Sequence, residues 1–270
     1  MSASVEGPGL HSGARGVVRF ERHDGPAVLR SAGIETRVTD LRVVDTLRST
    51  TVCDPTGAVR IGTIEHVLAA LGGLHVHAGV AVIVEGIEAP LADGGARRYV
   101  DLVRALGVEP SAPALRVVRA GVIEHGASRY ELAPGDGDAV TIEVSVDFDD
   151  ARIAKEARWS GDAADFCARI AVARTFGFEH ELGELLARGL ASHVTPSSVV
   201  VIGEGRVLAS GAPFTADEPV RHKLLDLIGD LYLYGGPPRG VVRATRPGHA
   251  ATHAIMARAL ADGLVVRARA

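Results

Sequence analysis

Residues 217–234, DEPVRHKLLDLIGDLYLY, decide how this chain folds. On a helical wheel of about 100° per residue with His222 at zero, Asp226 falls near 40°, Asp230 near 80° and Lys223 near 100°. Val220, Leu224, Leu225, Leu227, Ile228, Leu231, Tyr232 and Tyr234 fill the remaining arc. A polar stripe on a helix ordinarily means a solvated face. Here the apolar arc is so wide that the helix is expected to be buried on most sides and to show its stripe to a cleft. His222 and Asp226, four residues apart, can aim at one metal ion, and nitrogen with oxygen donors suits Zn²⁺. His-x-x-x-Asp alone is a weak motif.

Working outward, residues 63–71 (TIEHVLAAL) form a second helical pattern, with Thr63 as the expected N-cap and Glu65 in the first turn. It echoes the first. His66 and His222 are each followed by leucine two and five residues later and by glycine seven residues later. The echo is faint, but it points to a duplicated unit. Strands are expected at 16–20 and 79–85 in the first half, with a short helix at 96–106. The stretch 109–114 (EPSAPA) reads as a linker. Strands restart at 115–123, 128–132 and 140–148. A long helical region is expected from about residue 163, broken near Gly177 and ending near Gly189. A strand at 197–202 and a helix at 248–260 complete the second half. The fold class is therefore α+β, with two domains, 1–110 and 115–270, and an active site in the cleft between them.

Composition narrows the function. The 270 residues are 47% hydrophobic and 23% charged, enough apolar material to offset the entropy of ordering. A formal net charge of −4 and 4% aromatic residues argue against a nucleic-acid partner. Residues 67–84 are the most apolar stretch, but His75, His77 and several glycines interrupt it, so no membrane insertion is expected. The N-terminus lacks the pattern of a secretory signal. Cys53 and Cys167 lie far apart, which fits a reducing, cytoplasmic setting. Lys155 and Lys223 are the only lysines, which makes the place of Lys223 on the polar stripe informative.

Three further segments carry chemistry. In Glu65-His66, adjacent helical residues diverge by about 100°, so a metal-bound histidine leaves the glutamate free to act on water from the side. The plainer meaning is a first-turn glutamate before a partly buried histidine. Arg246-Pro-Gly-His249-Ala250 places a histidine at a helix start. Ala173-Arg-Thr-Phe-Gly-Phe178 sits at the expected break in the long helical region.

Together these segments resemble the zinc-dependent UDP-3-O-acyl-N-acetylglucosamine deacetylases of lipid A biosynthesis. The resemblance runs from Gly7-Pro-Gly-Leu-His-Ser-Gly13 almost to the C-terminus in the family's order. It includes Asp45-Thr-Leu-Arg-Ser-Thr-Thr51, residues 63–71, Asp93-Gly94, Val146-Asp-Phe148, residues 173–178, residues 221–230 and Gly248-His-Ala250. It implies two βααβ-type domains, each a mainly antiparallel sheet layered against helices. It also implies roles. His66, His222 and Asp226 match the zinc ligands, a donor set that Fe²⁺ also suits. Glu65 matches the general base. His249 matches the charged histidine that acts as acid or electrostatic stabiliser, and Asp230 the aspartate that orients it. Thr175 matches the hydroxyl donor to the developing oxyanion. Lys223 and Phe176 match residues lining the substrate site.

Those roles make chemical sense. Amide hydrolysis needs a nucleophile at neutral pH, stabilisation of the tetrahedral intermediate and a proton for the departing amine. A UDP-sugar lipid substrate brings a diphosphate, for which Lys223 and Arg246 are the cationic candidates. The chain departs from the family's usual pattern at Pro196-Ser197-Ser198, at Ala133 and at Leu74-His-Val-His77, positions that bear on substrate fit. Two other readings stand beside the deacetylase: a diverged zinc enzyme acting on another N-acetylated sugar, and a catalytically silent binding protein. A monomer is expected.

Overall fold

The computed structural model describes residues 4–187, 189 and 198–267. In the first half, β1 (Val5–Pro8), β2 (Arg15–Pro26), β3 (Val28–Ser31) and β4 (Ile34–Arg37) are followed by three short strands, β5 (Arg42–Asp45), β6 (Thr51–Cys53) and β7 (Arg60–Ile61). Helix α1 (Glu65–Gly73), strand β8 (Ala78–Glu85) and helix α2 (Arg97–Leu106) complete it. Residues 107–114 contain no helix or strand. The second half contains β9 (Leu115–Val117), β10 (Gly121–His125), β11 (Ser128–Ala133), β12 (Val140–Ser145) and β13 (Glu156–Trp159). Next come α3 (Ala163–Asp165), β14 (Thr175–Phe178), α4 (Leu182–Ala187), β15 (Val199–Gly203) and β16 (Arg206–Leu208). Helix α5 (Glu218–Tyr232), strand β17 (Gly240–Thr245), helix α6 (His249–Ala261) and strand β18 (Val265–Arg267) close the described chain.

The two large sheets have one topology. The first runs β1-β2-β8-β3-β4 and the second β10-β11-β17-β12-β13. Every neighbouring pair is antiparallel except β3 with β8 and β12 with β17. The parallel pair occupies the same place in both. In each sheet the central strand is preceded by a buried helix (α1 or α5) and followed by another (α2 or α6). The duplication hinted at by His66 and His222 is thus a duplication of fold, and the α+β class with mainly antiparallel sheets holds.

Helix α2 packs on β2, α6 on β10 and α5 on β12 and β13, while α1 lies along α5. This brings the two helices that carry the histidines together at the centre. All nine residues of α1 are buried, and on α5 only Lys223 is not. One apolar cluster runs through both halves, from Val18 and Leu29 through Leu68 and Leu224 to Ile142 and Met256. Among the described residues no helix is long and apolar enough to cross a membrane.

Some expectations need correction. The long helix expected from residue 163 is short: α3 has three residues, capped by Asp162 through Ala164 and Asp165 N–H, and runs into a π-turn ending at Ile170. Residues 175–178 form strand β14, not a helix break, because they pair in parallel with β15. The segment 115–123 is two strands, one of which pairs with β18. Thr63 does not cap α1. It has φ +53, and its hydroxyl donates to Glu88 at 2.7 Å. The strand expected at 197–202 begins at Val199, and Ser197 lies outside the described residues.

Candidate active site

Helices α1 and α5 touch backbone to side because Gly229 has no side chain. A Cβ there would lie 2.0 Å from the carbonyl oxygen of Glu65. This close approach sets Glu65 and His66 beside the polar stripe of α5. His222 Nε2 lies 3.4 Å and His66 Nε2 3.6 Å from the same Asp226 oxygen, Oδ1. One potential ligand atom from each of the three buried residues lies within 4.8 Å of the others. His222 donates from Nδ1 to the carbonyl of Ala173 at 3.0 Å, which leaves Nε2 as a lone pair facing the cluster. Burial pushes the His222 pKa down to about 4, so it stays neutral and able to ligate. Burial works against charge on Asp226, yet His222, Lys223 and the bond to His66 hold its carboxyl well below the usual range. Lys223 Nζ donates to the other Asp226 oxygen at 2.7 Å. Two neutralisable nitrogens and one persistent carboxylate, converging and buried, fit a divalent metal ion.

Beside this cluster lies a second one. His249, the first residue of α6, donates from Nδ1 to Asp230 Oδ2 at 2.8 Å. Thr50 bridges the two clusters: its N–H donates to Glu65 Oε2 at 3.0 Å and its hydroxyl to Asp230 Oδ1 at 2.6 Å. Burial pushes the Glu65 carboxyl up, partly offset by the charges of His249 and His66, so it is poised to accept a proton. Burial alone would lower His249. The charge and hydrogen bond of Asp230, helped by Glu65 and Asp226, outweigh it and lift His249 to about 9. A glutamate whose carboxyl is raised and a histidine lifted to about 9 thus share one small volume.

A cavity of about 460 Å³ opens onto both clusters. Its wall combines Leu10, Arg48, Glu65 and His66 from the first half with Thr175, Phe176, His222, Lys223, Asp226 and His249 from the second. The Phe176 ring stands edge-on to His222 at 6.1 Å, with Lys223 Nζ 6.0 Å from its centre. Thr175 reaches the wall with its hydroxyl donating to the Gly94 carbonyl at 3.0 Å. Arg246 is placed differently: it is outside the cavity wall, and its guanidinium donates to Asp147 at 3.0 Å.

The family model for UDP-3-O-acyl N-acetylglycosamine deacetylase matches residues 1–262. The chain belongs to that family. It is 34% identical to the UDP-3-O-acyl-N-acetylglucosamine deacetylase of Anaeromyxobacter sp. (strain Fw109-5), covering 96% of this chain and 86% of the relative. Identity to the protein of the same name from Myxococcus xanthus (strain DK1622) is 35%, over 96% of this chain and 84% of the relative. For Neisseria gonorrhoeae (strain ATCC 700825 / FA 1090) the figures are 32%, 97% and 88%.

Within this deacetylase-family chain, the positions that depart from the usual pattern have structural places. Ala133 ends β11, paired with Val241 of β17. His75 stacks on Trp159 and donates from Nε2 to the Gly161 carbonyl at 2.6 Å, while His77 stacks on Tyr232. Ser198 is buried, and its carbonyl sits where a Cβ on Gly94 would collide. The sequence reading gave no role to three residues that hold the site together. Thr50 stood inside the quoted 45–51 motif without an assignment. Glu88 gathers His11 N–H, the N–H and hydroxyl of Ser12, and Thr63. His253 touches Thr50 and lies one turn beyond His249, a spacing that could have flagged it.

Proposed function

We propose that this chain hydrolyses the N-acetyl group of UDP-3-O-acyl-N-acetylglucosamine, releasing acetate in an early step of lipid A biosynthesis. The observation that carries the proposal is the one cavity whose wall brings together Glu65, the His66–His222–Asp226 cluster and His249, which is bonded behind the wall to Asp230. His66, His222 and Asp226 would hold a divalent ion, Zn²⁺ or alternatively Fe²⁺, which polarises the amide carbonyl and lowers the pKa of water to about 7.

The residues of the chain do the rest. Glu65 removes the proton from attacking water, aided by its raised pKa. Thr175 is free to turn its hydroxyl from Gly94 to the carbonyl oxygen as negative charge develops there. His249, held as imidazolium by Asp230, gives its proton to the sugar nitrogen as the C–N bond breaks. The products are acetate and the free amine. Phe176 supplies an apolar wall. Lys223 and Arg246 supply positive charge for the diphosphate, Arg246 by exchanging Asp147 for the substrate.

We place the division of labour at a boundary in residues 110–115, with the base and one ligand in 1–110 and the remaining groups in 115–270. The two free cysteines, Cys53 and Cys167, fit the cytoplasmic setting that we propose for a monomer. The test is acetate release from the defined UDP-sugar, with and without its 3-O-acyl chain. Release that requires the acyl chain supports the proposal. Release from other N-acetylated sugars at equal efficiency would make this a broader deacetylase, and no release from any would make it a binding protein.

A further inference from the structure

The Asp230 carboxylate is not the private partner of His249. Asp230 Oδ2 accepts from His249 Nδ1 at 2.8 Å, and Oδ1 accepts from the Thr50 hydroxyl at 2.6 Å. A second histidine approaches the same edge. His253 Nε2 is 3.5 Å from Asp230 Oδ1 and 3.3 Å from Thr50 Oγ1. All four residues are buried.

Counting hydrogens assigns the donors. The Thr50 hydroxyl has one hydrogen, committed to Asp230, so toward both histidines its oxygen only accepts. His253 Nε2 must therefore carry a hydrogen and point it at the Thr50–Asp230 pair. On the far side, His253 Nδ1 faces the Tyr234 hydroxyl at 3.1 Å. Burial pushes the Tyr234 phenol up to about 12, so it remains a donor. The same hydroxyl reaches the His253 carbonyl at 3.2 Å and can donate its one hydrogen there, so the donor to Asp230 and Thr50 is assigned from the Nε2 side alone. The charged and titratable groups around it are Asp230 on α5, Tyr234 just beyond α5, His249 one turn back on α6, Glu65 across Thr50, and Arg267 on β18, which acts on Tyr234.

We propose that His253 is a positioning residue for the reaction: as a second donor to the Asp230–Thr50 pair, it draws off part of the carboxylate's charge and so limits how firmly His249 holds its proton. An acid needs this balance. A proton held too tightly is transferred too slowly, and the best acid has a pKa near the working pH. The effect on catalysis rests on the reading of His249 as the acid, whereas the sharing of the carboxylate does not.

The test is nitrogen-resolved NMR titration of the histidine rings in the zinc-loaded protein, with the pH profile of acetate release beside it. Removing the donor in His253→Leu should raise the His249 protonation constant by about 3- to 10-fold, the scale of one weak donor to a charged group. His253→Asn, which keeps an N–H donor, should leave it within about twofold of wild type. In the wild-type protein, which needs no variant to fold, His253 should carry a hydrogen on Nε2. A hydrogen on Nδ1 with Nε2 bare would overturn the proposal, as would a His249 titration unmoved in folded His253→Leu. If the His249 titration moves but the alkaline limb of the rate does not follow, the shared carboxylate stands and the assignment of His249 as the acid fails.

Discussion

Replacing Asp230 by asparagine keeps the size and shape of the side chain and removes its charge. In the native protein His249 is raised from an ordinary 6.5 to about 9, with Asp230 as the main raising influence against burial. That interval is worth about 3 kcal/mol, at about 1.4 kcal/mol for each tenfold change. Without the carboxylate, burial takes over and His249 should titrate at or below 6.5. At pH 8 the imidazolium fraction then falls from about nine-tenths to a few per cent, a loss of at least roughly 30-fold in any rate that needs it, and for a His249 titrating at 6.5 the loss should shrink to about 1.3-fold near pH 6. The assay is kcat/KM for acetate release from pH 5.5 to 10 with constant metal content. Stability gives an independent readout. A group whose pKa is raised on folding stabilises fully below its unfolded value and loses that contribution as pH rises through the folded one. The stability difference between native and Asp230→Asn protein should therefore be largest below pH 6.5 and shrink as pH passes about 9. An alkaline limb that stays in place in Asp230→Asn would refute the reasoning, because the carboxylate would then not be what keeps His249 charged.

Other perturbations read the rest of the site. Glu65→Gln should retain the metal and lose about 10²–10⁴-fold in rate, the scale of a general base; metal analysis showing loss of the ion with full activity per remaining ion would make Glu65 a ligand instead. His222→Ala should abolish both tight metal binding and metal-dependent turnover, and full activity in a thoroughly stripped native sample would end the metal mechanism. Gly229→Ala forces a methyl group to within 2.0 Å of the Glu65 carbonyl, so α1 and α5 must separate. It should cost at least about 1–3 kcal/mol in urea denaturation, the usual range for overpacking. Gly183→Ala on α4, which meets nothing within 4 Å, serves as its near-neutral control.

The legible and illegible parts of this fold differ in how local their causes are. Helix α5 could be read because its own residues determine its burial: eight apolar side chains leave no face for solvent except the stripe. The linker could be read because proline and small residues act on their own backbone. Strand β14 could not. Residues 175–178 become a strand only by pairing with Val199–Ile202, across the intervening α4, and no periodicity in TFGF announces that partner. Thr63 looked like a cap for the same reason: its hydroxyl has a choice of acceptors, and Glu88, 25 residues away, takes it. In the site, the proposed ligand and base positions came from spacing and resemblance. Thr50, Glu88 and His253 act by holding other residues, and no spacing rule encodes a hydrogen bond between residues about 180 apart in sequence, such as Thr50 with Asp230.

The duplicated topology also explains why one active site forms, not two. The central helices α1 and α5 hold equivalent places in equivalent units, and each supplies one histidine, His66 or His222, to the shared cluster. Equivalence ends there. Four residues after His222 stands Asp226, whereas four after His66 stands Ala70; eight after, Asp230 corresponds to Leu74. The residue before His66 is Glu65, whereas the one before His222 is Arg221, which turns away to pair with Asp217. The cluster therefore takes two carboxylates, Asp226 and Asp230, from α5 and one, Glu65, from α1, and α6 but not α2 begins with a histidine. Had both helices kept both aspartates, four carboxylates would crowd one buried volume, and their mutual repulsion would raise their pKa values until some took up protons. The asymmetry leaves Asp226 to His66 and His222, Asp230 to His249 and Glu65 to the Thr50 N–H. On the reading proposed above, those are the separate charge states that one amide hydrolysis needs.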